Sequence, residues 1–447
     1  MPFSASLDAA LYKAGEESGL IAGLVNGYVL PESEKAFLEL LGEMGYSYRS
    51  FDAFAPDLGR SPTMKPYWET YKKKKKSCKQ VTMRIKQKLV HELNLGKPPR
   101  TIFDLQQIGV KVIQRSHTTE SPIPNTYYLV DAGNEELLQF HKKTHIVSSR
   151  HREWHTVEEN ESVIFLNEQG EIELAILRGI CGRQDIVDYI TGIIEEAAFT
   201  RRNVCPHHVG KVIQYGYNAG QWHSCIWGLV NNLKQSKLTP DEKAKFDSRM
   251  LNLFAVGWNL VKSQAPAEAV EPVLEAIANA GLPEMAAEGF QGKEALYQKV
   301  LLNVSSSDTT GYSLELEETN VRFSLTERAP CEGYIAVNYA ARCHTDKIYA
   351  PYAFSWQTHY KPPDGFEGNP GGNYADLTLA VTIRSSKDSL MVFKPNYPHG
   401  TTLFKQGTER AGILFNFSTH IKDAFEAARK KQEEGIVVEE CITPTTI

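Results

Sequence analysis

The chain has 447 residues, 42% of them hydrophobic and 10% aromatic, which suits a globular protein with a sizeable core. Its seven cysteines are scattered with no Cys-x-x-Cys, against a disulfide framework. Asp8 and Lys13 break the N-terminal stretch and no run of eighteen apolar residues occurs, so neither a signal peptide nor a membrane span is expected, and a soluble, intracellular protein is. The net charge of −5 conceals an asymmetry. Lys72 to His91 holds nine basic residues and no acid, so the rest of the chain carries −14.

In chain order, Pro31-Glu32-Ser33 opens a helix with Phe37, Leu38, Leu40 and Leu41 on its apolar side, ended by Gly45. The basic segment follows. Val81, Ile85, Leu89 and Leu93 recur every four positions before Gly96, which predicts one amphipathic helix. Its outward Lys72, Lys73, Lys74, Lys75, Lys76, Lys79, Arg84, Lys86 and Lys88 suit phosphate contact, nuclear import, or simply a solvated face. From Asn125 strands take over: 126–130, then a hairpin of Val163–Leu166 and 172–177 around Asn167-Glu168-Gln169-Gly170. Helices are predicted over 185–202, from the Thr239-Pro240-Asp241-Glu242 capping box through Leu260, from Pro266 to Gly281, over 292–302, and finally over 421–434. Strands dominate between Tyr312 and Phe417. The expected architecture is α+β, with an N-terminal helical, basic region over 1–120. The second domain, over 121–447, has its β-barrel core at about 310–420 and helices on one side.

The chemistry gathers late in the chain. His344-Thr345-Asp346 follows the β-rich run 334–339, and residues two apart on an extended strand project to the same side. The run Ser389–Phe393 and the turn 394–398 deliver His399; Arg410 opens a third run, 411–417. Two imidazoles and a carboxylate are the donor set of the facial triad that holds non-haem Fe(II) with open positions, and an Arg at this offset can pair with the far carboxylate of 2-oxoglutarate. Three strand edges supplying such ligands fit a double-stranded β-helix, or jelly roll.

The segment His399-Gly400-Thr401-Thr402, then Arg410 and 413–420, resembles the end of the catalytic domain in the TET/JBP family of DNA-modifying dioxygenases, in a compact fungal- or protist-like form. The clear likeness spans about the last 120 residues. It implies that His344, Asp346 and His399 ligate Fe(II), that Arg410 anchors 2-oxoglutarate with Asn338 as a helper, and that O2 is the second cosubstrate. It further implies a monomeric, nuclear enzyme acting on duplex DNA with the target base turned out. The resemblance favours 5-methylcytosine; thymine, 6-methyladenine and RNA stay open, since small changes in pocket contacts decide between them. The dense Cys-rich zinc region of the animal enzymes has no counterpart. A dioxygenase for a protein side chain or metabolite, and a silent DNA-binding homologue, are the alternatives.

Aromatic residues crowd the stretch after Asp346, and Tyr352, Phe354, Trp356, Tyr397 and Phe417 are the candidates for sandwiching a base. The glycine- and proline-rich 361–373 reads as a mobile rim. His141, His145, His151 and His155 have helical metal-ligand spacing, but Ile146-Val147 and Thr156-Val157 point to extended structure. Gly216 to His223 reads as a turn, and Cys205-Pro206-His207-His208 lacks a partner pair for zinc.

Overall fold

The computed structural model describes residues 3–93, 95–118, 123, 125–147, 154–221, 224–234, 239–286, 312–316, 319–323 and 327–434. The predicted helix over 292–302, together with Trp222, His223, His151 and Cys441, lies outside them. The chain divides into two compact units, Met1–Lys88 and Leu89–Ile447. The boundary falls before residue 120 because Lys111–Gln114 pairs in parallel with Val163–Leu166, which ties that segment to the second unit.

The first unit is helical. It comprises α1 (Ala5–Glu17), α2 (Leu20–Asn26), α3 (Pro31–Glu43), α4 (Phe51–Arg60) and most of α5 (Lys65–Glu92). Pro31 sits at the first turn of α3, where its missing N–H costs nothing. Leu11, Leu20, Leu24, Phe37, Leu41, Phe54 and Leu58 are fully buried and form its core. The predicted apolar stripe of α5 is buried only at its end: Leu89 and Leu93 are covered, whereas Val81 is 47% exposed.

The second unit is α+β. Its larger sheet runs β1 (Lys111–Gln114), β5 (Val163–Leu166), β6 (Ile172–Arg178), β15 (Ser389–Phe393), β12 (Ala353–Lys361), β17 (Glu409–Phe415), β11 (Glu332–Ala340), β7 (Val209–Gln221), β8 (Ser224–Leu229). A four-stranded sheet runs β16 (His399–Thr401), β13 (Tyr374–Asp376), β14 (Val381–Ile383), β4 (His155–Val157). Val157, Leu379, Val381 and Ile383 from the smaller sheet meet Val163, Phe165, Leu174, Ile176 and Phe393 from the larger one, so the two sheets share an apolar layer. The small pairs β2 (Tyr128–Asp131) with β3 (Thr144–Val147), and β9 (Tyr312–Leu316) with β10 (Thr319–Phe323), complete the strands among the described residues.

The short helix α6 (Ile102–Gln107) precedes β1, and the helices α7 (Gln184–Thr200) and α8 (Pro240–Gln264) pack near the larger sheet. The Thr239–Glu242 capping box is formed, and α9 (Ala267–Ala280) ends at Gly281 in the left-handed conformation. Trp258 of α8 packs on Phe354, Phe415 and Phe417. The approach is close at Gly333, where any Cβ would lie 2.4 Å from the Phe254 ring. The terminal helix α10 (Thr419–Glu433) follows β17. Gly216 to Gln221 is strand rather than turn. Gly216 and Gly220 take positive φ within β7, and the register slips between Asn218 and Gly220, so the glycines bend a long strand.

Candidate metal centre

His344 follows β11, and His399 begins β16. Their backbones exchange hydrogen bonds of 2.9 and 3.0 Å, which brings the two rings to 4.4 Å between centroids. Asp346 is fixed by its own N–H, which donates to the Pro395 carbonyl at 2.8 Å, and by Asn416 Nδ2 on its Oδ2 at 3.3 Å. One ligand atom from each of His344, Asp346 and His399 lies within 4.8 Å of the others; it is the one such group found among the described residues.

The tautomers suit metal binding. His344 Nδ1 donates to the Arg342 carbonyl at 2.6 Å and His399 Nδ1 to the Tyr397 carbonyl at 2.8 Å. Each ring therefore carries its lone pair on Nε2, and His344 Nε2 is 3.7 Å from Asp346 Oδ2. Burial and the neighbouring His344 push His399 down to about 3, against the Tyr397 carbonyl, so it stays neutral and available as a ligand. A neutral nitrogen pair with one carboxylate fits a divalent first-row ion.

The three ligands open on a cavity of about 190 Å³, whose lining also includes Asn338, Tyr374, Gln357, Arg384, Ser385 and Arg410. Arg410 reaches it because β17 alternates: Arg410, Gly412 and Leu414 share one side, while Ile413 and Phe415 lie beneath α8. Its guanidinium has no ion-pair partner among the described residues. Nη1 donates to the Tyr339 carbonyl at 3.3 Å, and Nε is buried without a partner. Burial pushes Arg410 down to about 10, with Tyr360 and Asp131 opposing, so it stays charged at neutral pH. Arg384 Nη1, Gln357 Nε2 and the Tyr374 hydroxyl are further buried polar atoms without partners. Such atoms are costly, and the four residues that carry them all line one cavity.

Asn338 also lines the cavity, but its Oδ1 accepts the Arg410 backbone N–H at 2.7 Å. It has φ of +48°, and its carbonyl would meet a Cβ on Gly210 at 1.8 Å, so position 210 must be glycine. The 361–373 segment ends as scaffold rather than rim. A Cβ on Gly372 would lie 2.8 Å from Arg410 Cδ, and Asn373 is buried with Nδ2 on Asp131 at 2.9 Å.

The five aromatic candidates stand elsewhere. Phe354 and Trp356 share the β12 face under the helices, and Trp356 Nε1 donates to Asp388 at 3.0 Å; the cavity face of that strand carries Ser355 and Gln357. Phe417 is buried against Trp258 and Tyr349. Tyr352 donates to the Ile172 carbonyl and Tyr397 to Glu173. None of the five lines the cavity; Tyr339 and Tyr374 do. The alternation of Phe354-Ser355-Trp356-Gln357 was the signal that could have found Gln357. Nothing local marked Arg384 or Tyr374, which arrive from the smaller sheet.

Of the described members of the histidine run, His145 and His155 take extended structure. His145 lies in β3 and His155 in β4, while the His141 ring meets Tyr128 at 4.3 Å between centroids, tilted by 33°. On α5, Lys72 to Lys76, Lys79, Arg84 and Lys88 are exposed and Lys86 is half-buried; Lys72 and Lys75 lie over the rings of Trp68 and Tyr71.

No family model and no curated protein matches the sequence. Among solved structures, the chain is similar to NgTET1 in complex with 5mC DNA, at 10% identity and a TM-score of 0.36, covering 69% of this chain and 91% of that one. It is also similar to a prolyl hydroxylase in complex with a hypoxia inducible factor peptide fragment, from Trichoplax adhaerens. That match has 12% identity and a TM-score of 0.15, covering 42% of this chain and 97% of that one. Both TM-scores lie below 0.5, so neither likeness fixes fold or chemistry. Among the described residues no helix is long and apolar enough to cross a membrane.

Proposed function

We propose that the chain is an Fe(II)- and 2-oxoglutarate-dependent dioxygenase, its facing sheets a jelly roll, and that its substrate is a methyl-bearing base in DNA. One observation carries the reading: two Nε2 lone pairs and a carboxylate open on the same cavity as Arg410, whose guanidinium has no ion-pair partner among the described residues and whose Nε is buried without a hydrogen bond. His344, Asp346 and His399 would hold the iron, and Arg410 the far carboxylate of 2-oxoglutarate. Iron with 2-oxoglutarate and O2 supplies an oxidant that hydroxylates an unactivated C–H bond as the keto acid becomes succinate and carbon dioxide.

The protein's share is binding, orientation and exclusion of water. Arg342 and Tyr397 carbonyls fix the imidazole tautomers; Asn338 and Gly372 fix Arg410. Gln357, Arg384 and Tyr374 give the same cavity further polar side chains. At about 190 Å³ the cavity is smaller than the ~300–1,000 Å³ of pockets that enclose a drug-sized ligand, so it suits a small dicarboxylate, with the substrate methyl entering from its mouth. Near the ligands, Tyr339 stacks on His208, and Arg342 lies 4.8 Å over the Tyr128 ring, flat and cationic groups of the kind that receive bases and phosphates. The lysines of α5 would add sequence-independent phosphate affinity and serve nuclear import.

The absence of the five expected aromatics from the cavity favours a second reading, hydroxylation of a protein side chain or small metabolite. Incubation with duplexes bearing 5-methylcytosine, thymine or 6-methyladenine, followed by nucleoside mass spectrometry and succinate measurement, separates the two. An oxidised base with stoichiometric succinate supports the DNA reading. Succinate formation indifferent to every duplex overturns it.

A further inference from the structure

Outside the cavity lining lies a buried carboxylate that the proposed chemistry does not use. Glu173, on β6, has a side chain 2% exposed, yet four groups from three other parts of the second unit converge on it. Its Oε1 accepts from Lys394 Nζ at 2.8 Å and Asn167 Nδ2 at 3.2 Å. Its Oε2 accepts from the Tyr397 hydroxyl at 2.6 Å and faces His117 Nε2 at 3.1 Å. Burial alone would raise this carboxyl, but Lys394, Tyr397 and His117 together hold it below the ordinary glutamate value.

Two of those donors are the ends of one tight turn between β15 and β16. Tyr397 N–H donates to the Lys394 carbonyl at 3.0 Å and closes it. That turn touches two of the three candidate ligands: the Pro395 carbonyl accepts from Asp346 N–H, and the Tyr397 carbonyl accepts from His399 Nδ1, each at 2.8 Å. A shift of the turn would therefore move a carboxylate and an imidazole together.

We infer that Glu173 is a positioning residue: by gripping Lys394 and Tyr397 it sets the separation and orientation of Asp346 and His399, and thereby the affinity and coordination of the metal. The role rests on the metal reading above. It differs from a general contribution to stability because the Glu173 hydrogen bonds to Lys394 and Tyr397 reach Asp346 and His399 through the 394–397 turn. Partners that orient metal ligands in this way typically change metal affinity by about 10- to 100-fold when removed.

The test is titration of the full chain with Co(II), followed by calorimetry and by the visible absorption of the bound ion, for the wild type, Glu173→Gln, Tyr397→Phe and Gly333→Ala. Gly333→Ala strains the packing under α8 without touching the turn, so it controls for lost stability. Glu173→Gln is expected to weaken Co(II) binding about 10- to 100-fold and to alter the spectrum at saturation. Tyr397→Phe should do so less, and Gly333→Ala should leave both unchanged. Glu173→Gln with wild-type affinity and spectrum overturns the proposal, as does a Gly333→Ala spectrum altered just as much. If Glu173→Gln does not fold, Tyr397→Phe decides alone, and an unchanged spectrum in it overturns the role. A wild type that binds no Co(II) removes the metal reading itself, and this role with it.

Discussion

His344 and His399 each spend one nitrogen on a backbone carbonyl and leave the other facing Asp346, an arrangement that has no purpose in an ordinary packed core. His344→Ala or Asp346→Ala should therefore abolish stoichiometric Co(II) binding while cooperative thermal unfolding persists; retained one-to-one binding in either would reject the ligand set. Arg410 is the corresponding test for the cosubstrate. A guanidinium with a buried, unpaired Nε loses its geometry on substitution by an amine, so Arg410→Lys should weaken 2-oxoglutarate binding to the metal-loaded protein about 10- to 100-fold. Calorimetry with equal affinities for both proteins would contradict that. His344, Asp346, His399 and Arg410 could be singled out from residue type and spacing, and the structure brings all four to one cavity. The aromatic candidates lie outside the cavity lining because face, not composition, decides contact: Phe354 and Trp356 alternate with Ser355 and Gln357, and the apolar pair belongs to the side covered by helices.

At the scale of elements, β11 carries strain and a buried acid that its sequence does not advertise. Glu332, at its start, is buried; its Oε1 accepts from Ser418 N–H at 2.7 Å and its Oε2 from the Tyr334 hydroxyl at 2.9 Å. Burial raises it from 4.5 to about 8, with those two hydrogen bonds opposing and Asp346 adding to the rise. The folded state thus holds a proton that the unfolded chain releases near 4.5. Stability from this group is full below that pH and is lost as pH rises to about 8, by at most about 1.4 kcal/mol per unit. Melting temperatures measured across that window should fall for the wild type and less steeply for Glu332→Gln; identical slopes would remove Glu332 as the source. One residue on, Gly333→Ala drives a methyl into the Phe254 ring and should cost about 1–3 kcal/mol in urea unfolding. A loss near zero would mean that α8 yields easily. Helix α8 was readable from Thr239-Pro240-Asp241-Glu242, because capping is local chemistry. The bends of β7 were not, since Gly216 in isolation reads equally as a turn or a bulge.

The molecule as a whole separates a lysine-rich helical unit from an α+β unit that holds the candidate centre. Helices were foreseen in the first unit only at α3 and α5. The others, α1, α2 and α4, are held by burial of Leu11, Leu20, Leu24, Phe54 and Leu58 in a shared core that no single segment reveals. Replacing Lys72 to Lys76 with Gln should weaken duplex binding and flatten its dependence on salt, read by fluorescence anisotropy across a salt series; an unchanged slope would take α5 out of the interface. Order in the sheets follows from long-range pairing, so β12 between β15 and β17 could not be read from the chain, although each strand could. The central claim, that His344, Asp346, His399 and Arg410 serve one site, is tested most directly by anaerobic addition of Fe(II) and then 2-oxoglutarate while visible absorption is recorded. The account predicts a charge-transfer band that saturates at one equivalent of each, is missing in His399→Ala and needs far more 2-oxoglutarate in Arg410→Lys. A wild-type protein that takes up iron yet shows no band at any 2-oxoglutarate concentration would contradict it.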